Sequence, residues 1–223
     1  MSGSSADRLP FTIKICGVKT VEDVEAVAAA GGDAIGLNFF PPSVRFLEIA
    51  AAGRLASLAK QNGILPIALF VNESRDAICR LVGEIDVQWI QLHGDEPPEL
   101  ATQLIADGYQ ILRAVRLPTG SLTEAEIEAR LVPWRELGCT LLLDADAGKN
   151  FGGQGKALDW QGLRLGCTLP FVLAGGLTPE NVGQAIVGSG AQAVDVASGV
   201  EAPRGCKSAE KIQRFCQQAR SVW

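Results

Sequence analysis

Short apolar runs alternate along this chain with longer stretches in which apolar residues recur three or four positions apart. The first pattern predicts buried strands and the second predicts helices with one apolar face. Strands are expected at 11–16, 33–39, 65–71, 87–92, 110–115, 140–144, 171–174 and 193–197. Helices are expected at 20–30, 48–61, 74–83, 97–107, 123–137, 159–165, 179–188 and 208–219. Glu22 and Asp23 fall in the first turn of the first helix, and Pro97 stands at the start of the fourth, both favoured placements. The strands are nearly continuous in apolar residues, as they are when both faces of a parallel sheet are covered. Strand and helix alternate from end to end, which favours a closed (β/α)8 TIM barrel of the α/β class. Periodicity by itself leaves a doubly wound open sheet as the alternative. No linker-like segment divides the chain. The expectation is one barrel domain over 11–223, preceded by a small, polar, flexible tail over 1–10.

Composition narrows the class. The chain has 223 residues, 47% hydrophobic and 20% charged, enough apolar content for one full barrel core and too much for disorder. Net charge is −5 and Lys and Arg are scattered, which argues against a nucleic-acid partner. A single phosphate remains a plausible ligand, because backbone amides at a helix start bind anions without net positive charge. The longest apolar run, 64–71, is too short to span a membrane, and residues 1–9 do not read as a secretory signal. Six cysteines, at 16, 79, 139, 167, 206 and 216, form no Cys-x-x-Cys pair. Reduced thiols in a cytoplasmic protein are the expectation, with no metal site.

Reactive groups gather at the C-terminal ends of separate strands, where parallel barrels build their active sites. Cys16 ends the first strand, Asp144 the sixth, and Gly175-Gly176 follow the seventh. Strand alternation puts Lys14 on the same face as Cys16. Asp195, on the neighbouring eighth strand, is the expected partner of Lys14. Each feature has a blander reading: Cys16 as a small core residue, Asp144 as a turn cap, the glycines as turn formers.

The order and spacing of the motifs go further. Lys14-Ile15-Cys16-Gly17, Pro42-Ser43-Val44-Arg45, Leu69-Phe70-Val71-Asn72 and Gln91-Leu92-His93-Gly94 are followed by Leu142-Leu143-Asp144 and Gly152-Gly153-Gln154-Gly155. Asp159-Trp160, the run from Gly175 to Val182, and Ser198-Gly199-Val200-Glu201 complete the series. Together they resemble the phosphoribosylanthranilate isomerases, barrel enzymes of tryptophan biosynthesis. The chain departs from that pattern at Lys19, where the family often has threonine, and at Gln154, where it has serine or threonine.

The resemblance implies an Amadori rearrangement of a phosphorylated aminoaldose to an aminoketose, by acid-base chemistry without cofactor or metal. It implies Cys16 as the base and Asp144 as the acid. A thiol has a pKa of roughly 8.5 and a carboxyl one near 4, so each needs its site to shift it. Arg45 is implied to hold the anthranilate carboxylate, its planar guanidinium matching that fork. His93, the chain's one histidine, is a candidate contact to the ring or carboxylate, and Phe39 or Phe40 a candidate wall for the ring. Gly175, Gly176, Ser198 and Gly199 are read as the phosphate site, where barrels commonly hold that group. Gly152, Gly153 and Gly155 are read as a lid over the substrate. The other five cysteines are read as packing or surface residues.

Rival barrels fit less well. An indole-glycerol-phosphate synthase calls for an extra N-terminal segment and a catalytic lysine on a strand end, a histidine-pathway isomerase for paired aspartates and a half-barrel repeat, and a pentose-phosphate epimerase for metal-type histidines. A barrel serving only as a binding scaffold is the non-enzymatic alternative. A monomer is expected, with a dimer left open.

Overall fold

The computed structural model describes residues 9–118, 120, 123–145, 159–166 and 169–223. Eight parallel strands close into a barrel in strict sequence order, which decides against the doubly wound alternative. They are β1 (Ile13–Cys16), β2 (Ala34–Asn38), β3 (Leu65–Phe70), β4 (Trp89–Leu92), β5 (Gln110–Leu117), β6 (Thr140–Ala145), β7 (Val172–Leu173) and β8 (Ala193–Val196). The helices between and after them are α1 (Val21–Ala29), α2 (Ile49–Gln61), α3 (Arg75–Glu84), α4 (Pro98–Ala106), α5 (Glu124–Glu136), α6 (Trp160–Gly166), α7 (Val182–Ser189) and α8 (Ala209–Arg220).

The helix starts follow from local chemistry. Thr20 caps α1 and Thr123 caps α5, each with a reciprocal bond from the acidic side chain three residues on, Asp23 and Glu126. Ser74 and Ser208 cap α3 and α8 through their hydroxyls. Two elements differ from expectation. β5 runs on to Leu117 because Arg116 and Leu117 keep pairing with Asp144 and Ala145. α7 starts at Val182, since the Thr178 amide donates to Asn181 Oδ1 at 2.8 Å and holds a turn there.

The strands bury both faces. Outward residues such as Ile15, Leu37, Ile90 and Leu143 pack under the helices in the large core. Phe11, Ala34, Ile67, Leu112, Leu142, Val172 and Ala193 form a second cluster that fills the barrel's interior. Each such branched side chain contributes about 1.5–3 kcal/mol by leaving water. Above this apolar plug the inward positions turn polar: Lys14, Gln91, Asp144 and Asp195 are all buried. That change of character marks the end of the barrel where chemistry is held.

Candidate active site

A cavity of about 500 Å3 opens at the C-terminal ends of the strands. Cys16, Arg45, His93, Asp144, Gly175, Gly176 and Ser198 all line it, so residues far apart in sequence share one chamber. Gly199 sits behind Ser198 in the 3-10 turn Ser198–Val200. Gly152, Gly153 and Gly155 fall outside the described residues.

Cys16 stands in register with Gly36 of β2. A β-carbon at Gly36 would lie 2.6 Å from Cys16 Sγ and 3.2 Å from Lys14 Nζ, so glycine is what lets both groups occupy this corner. Lys14, in register with Asp195 across the β1–β8 closure, donates to Asp195 Oδ1 at 2.9 Å. The pair expected from strand facing is therefore formed, with Lys14 fully enclosed and Asp195 on the cavity wall. Burial works against the Lys14 charge, but Asp195 and Cys16 outweigh it and hold its pKa above the ordinary value. For Cys16 the balance goes the other way. Burial pushes its thiol up, Lys14 and Lys207 pull it down, and Asp195 adds to the rise. The nearby cation expected from the sequence is present, yet it does not overcome the cost of burial.

Across the cavity, Asp144 Oδ2 lies 3.3 Å from His93 Nε2. His93 follows β4, and its ring is met from below by Gln91, whose Nε2 is 2.8 Å from His93 Nδ1. Gly175, at φ +84°, leaves room for the carboxylate: a β-carbon there would come within 2.7 Å of Asp144 Oδ1. His93, which the resemblance offered to the substrate ring or carboxylate, lines the cavity and stands beside Asp144.

Arg45 reaches the cavity on a braced loop. Asn38 Nδ2 and the Arg45 amide both donate to Ser43 Oγ, at 3.3 and 3.1 Å. The guanidinium is held by Glu201, Nε to Oε1 at 2.6 Å and Nη2 to Oε2 at 2.9 Å. Glu201 also accepts from Lys207 Nζ at 3.0 Å and from the Gly205 amide at 2.9 Å. Burial opposes its charge, but these donors keep its pKa at about 2. Lys207 is itself lowered by burial, against the pull of Glu201. Glu201 thus takes one edge of Arg45 and leaves Nη1 and the second Nη2 hydrogen for a ligand. Phe40 lines the cavity, whereas Phe39 points outward and stacks on Phe70 with ring centroids 5.2 Å apart. At the opposite end, Asn181 Nδ2 donates to the Gly176 carbonyl at 2.9 Å and fixes the glycine turn.

Sequence reasoning missed Lys207, the partnership of Glu201 with Arg45, and Asn38 as a brace. Arg204, a further cation on the cavity wall, was also missed. Burial pushes the thiols of Cys139 and Cys216 up to about 11, which suits packing residues.

The family model described as N-(5'phosphoribosyl)anthranilate (PRA) isomerase matches residues 13–218. The N-(5'-phosphoribosyl)anthranilate isomerase of Neisseria meningitidis serogroup B is 42% identical over 206 residues, covering 92% of this chain and 95% of that protein. The Myxococcus xanthus isomerase is 38% identical over 213 residues, with 94% and 96% covered. Among solved structures, the Thermotoga maritima phosphoribosyl anthranilate isomerase superposes with a TM-score of 0.82 at 33% identity, over 95% of this chain and 99% of that one. Another, in complex with reduced 1-(o-carboxyphenylamino)-1-deoxyribulose 5-phosphate, gives 0.79 at 31% identity with the same coverage.

Proposed function

The chain belongs to the N-(5'-phosphoribosyl)anthranilate isomerase family, and on that premise we propose how its own residues carry out the rearrangement. Asp144 gives its proton to the furanose ring oxygen as the anilino nitrogen's electron pair expels that oxygen from C1′. A protonated Schiff base results. Cys16, as thiolate, removes the C2′ proton, and the C–H electron pair passes to the nitrogen through C1′ to give an enolamine. The enolamine takes a proton at C1′, loses one from the C2′ hydroxyl, and becomes the ketone. The substrate is N-(5'-phosphoribosyl)anthranilate and the step serves tryptophan biosynthesis.

The observation that carries this reading is that Cys16 and Asp144 line one cavity of about 500 Å3, a volume suited to a pentose bearing an aromatic ring. Burial keeps the resting thiol protonated. The cation formed on ring opening adds to the pull of Lys14 and Lys207 in the step that needs the thiolate. The free edge of Arg45 receives the anthranilate carboxylate, Phe40 flanks the ring, and the amides around Gly175, Gly176, Ser198 and Gly199 receive the phosphate. Gly152, Gly153 and Gly155 act as the lid that keeps water from the Schiff base.

The large hydrophobic side chains exposed among the described residues, Val21, Val44, Val187 and Trp223, are few and come from different segments of the chain. That supports a monomer, since a stable dimer needs a contiguous face, although a Thermotoga maritima relative is described as dimeric. No helix among the described residues is long and apolar enough to cross a membrane, and we place the enzyme in the cytoplasm.

The test is to add the purified chain to freshly prepared phosphoribosylanthranilate and follow loss of substrate fluorescence together with appearance of the aminoketose. Enzyme-dependent conversion supports the reading. Binding without conversion would identify a scaffold instead.

A further inference from the structure

Gln91 is the residue the proposed reaction does not use and the fold does not need. It is fully buried, in register with Leu69 on one side and Leu112 on the other. Its Nε2 meets His93 Nδ1 at 2.8 Å. Its Oε1 is buried with no hydrogen-bond partner among the described residues. A buried amide oxygen left bare costs roughly 1–3 kcal/mol, so its retention asks for a reason.

We propose that Gln91 is a positioning residue for the acid: its amide sets which nitrogen of His93 carries the proton, and so whether Asp144 is held protonated or ionised. The inference rests on Asp144 being the acid, as argued above. When Gln91 Nε2 donates to Nδ1, the neutral ring carries its proton on Nε2 and donates it to the Asp144 carboxylate. When the amide is turned over, Nδ1–H donates to Oε1, and the bare Nε2 accepts the O–H of protonated Asp144. The first arrangement suits the carboxylate left after ring opening, and the second suits the loaded acid. Because Oε1 has no other partner, turning the amide over breaks no bond at its far end. It does move the unpaired group from Oε1 to the Nε2 hydrogens, a cost that the hydrogen bond from protonated Asp144 to Nε2 of His93 must offset.

Other charged groups among the described residues stand around this chain of contacts. Arg116, in register with Asp144, pairs with Asp95, and Arg113 pairs with Glu96 behind β4. Cys16, the Lys14–Asp195 pair, the Arg45–Glu201–Lys207 group and Arg204 stand across the cavity. His93 Nε2, 3.3 Å from Asp144 Oδ2, is the group beside the carboxylate.

The test is the pH dependence of kcat in Gln91→Leu, with Gln91→Met as a second variant should the first fail to fold. Without an acceptor for Nδ1–H, the tautomer that loads the acid would bury an unpaired N–H, which proteins avoid more strictly than a bare acceptor. The ring then keeps its proton on Nε2, facing the carboxylate, and Asp144 holds its own proton less tightly. The alkaline limb of kcat should move to lower pH by about one unit, a loss of about tenfold above the limb, with KM within about twofold. The thermal midpoint should stay within a few degrees of the wild type, because the orphaned Oε1 is gone while His93 Nδ1 loses its partner. In a His93→Ala background the same substitution should leave the limb where it was. A wild-type profile with no alkaline limb, a limb unmoved in both variants, or an equal shift without His93 would overturn the proposal. An inactive wild type would instead overturn the reading on which it rests.

Discussion

Gly36→Ala tests whether the reactive sulfur's placement depends on a missing side chain in the neighbouring strand. The added methyl group would stand 2.6 Å from Cys16 Sγ, 3.1 Å from Cys16 Cα and 3.2 Å from Lys14 Nζ. Ordinary contacts of this kind sit at about 3.5–4.0 Å, so the sulfur is overlapped by roughly 1 Å. Neither neighbour gives way easily. The Cys16 backbone is paired with Gly36 itself on β2, and Lys14 is tied to Asp195 at 2.9 Å inside the barrel. The thiol must therefore rotate out of its place. A displacement of about 1 Å at a reacting group costs on the order of 10²-fold in rate. Overpacking of this size costs about 1–3 kcal/mol, or roughly 2–12 °C in Tm for a domain of this length. The assay is steady-state decay of substrate fluorescence with thermal unfolding run beside it. The expectation is a kcat lowered about 10²-fold with KM nearly unchanged, since the phosphate and carboxylate contacts lie elsewhere. A kcat within about threefold of wild type in a folded variant would refute the steric reasoning.

Three further outcomes follow from the same geometry. Asp144→Asn, which keeps the shape and removes the transferable proton, should lower kcat by about 10²–10⁴-fold and erase the alkaline limb of its pH profile; an unchanged rate and profile would remove Asp144 from the mechanism. Lys207→Met takes away one of the cations that pull the Cys16 thiol down, while Glu201 keeps Arg45; the thiol pKa rises further, so the acidic limb of kcat/KM should move to higher pH by about half a unit to one unit. Glu201 is held at about 2 in the folded protein; a depressed carboxyl pKa contributes stability that is present above the unfolded value and lost as pH falls through the folded one. Glu201→Gln should accordingly lower Tm at neutral pH, and the gap to wild type should narrow between about pH 5 and pH 2.5.

The barrel was legible because each strand is apolar on both faces and each helix on one, a difference in period that survives without any tertiary information. Cys16, Lys14 and Asp195 could be grouped in advance since alternation along a strand and the adjacency of first and last strands are properties of the fold class. Alternation also separates Phe39 from Phe40: Gly36 and Asn38 face inward, so Phe40 reaches the cavity and Phe39 does not. The hold of Glu201 on Arg45 was not legible. It joins two loops 156 positions apart in sequence, and nothing local to either carries the pairing. Lys207 escaped notice for the same reason, and its nearness to Cys16 appears only when the last loop folds back over the first strand. The thiol's upward shift was missed because the pull of a nearby cation can be inferred from strand facing, whereas the depth of burial that opposes it cannot.

Turnover by Cys16→Ala beside wild type, on the same substrate and under the same conditions, meets the account at its centre. Removal of the sulfur should leave a folded protein with the wild type's Tm within a few degrees and a kcat lower by about 10²–10⁴-fold, the usual worth of a positioned base. A folded Cys16→Ala protein that clears substrate within about tenfold of the wild-type rate would contradict the assignment of the base.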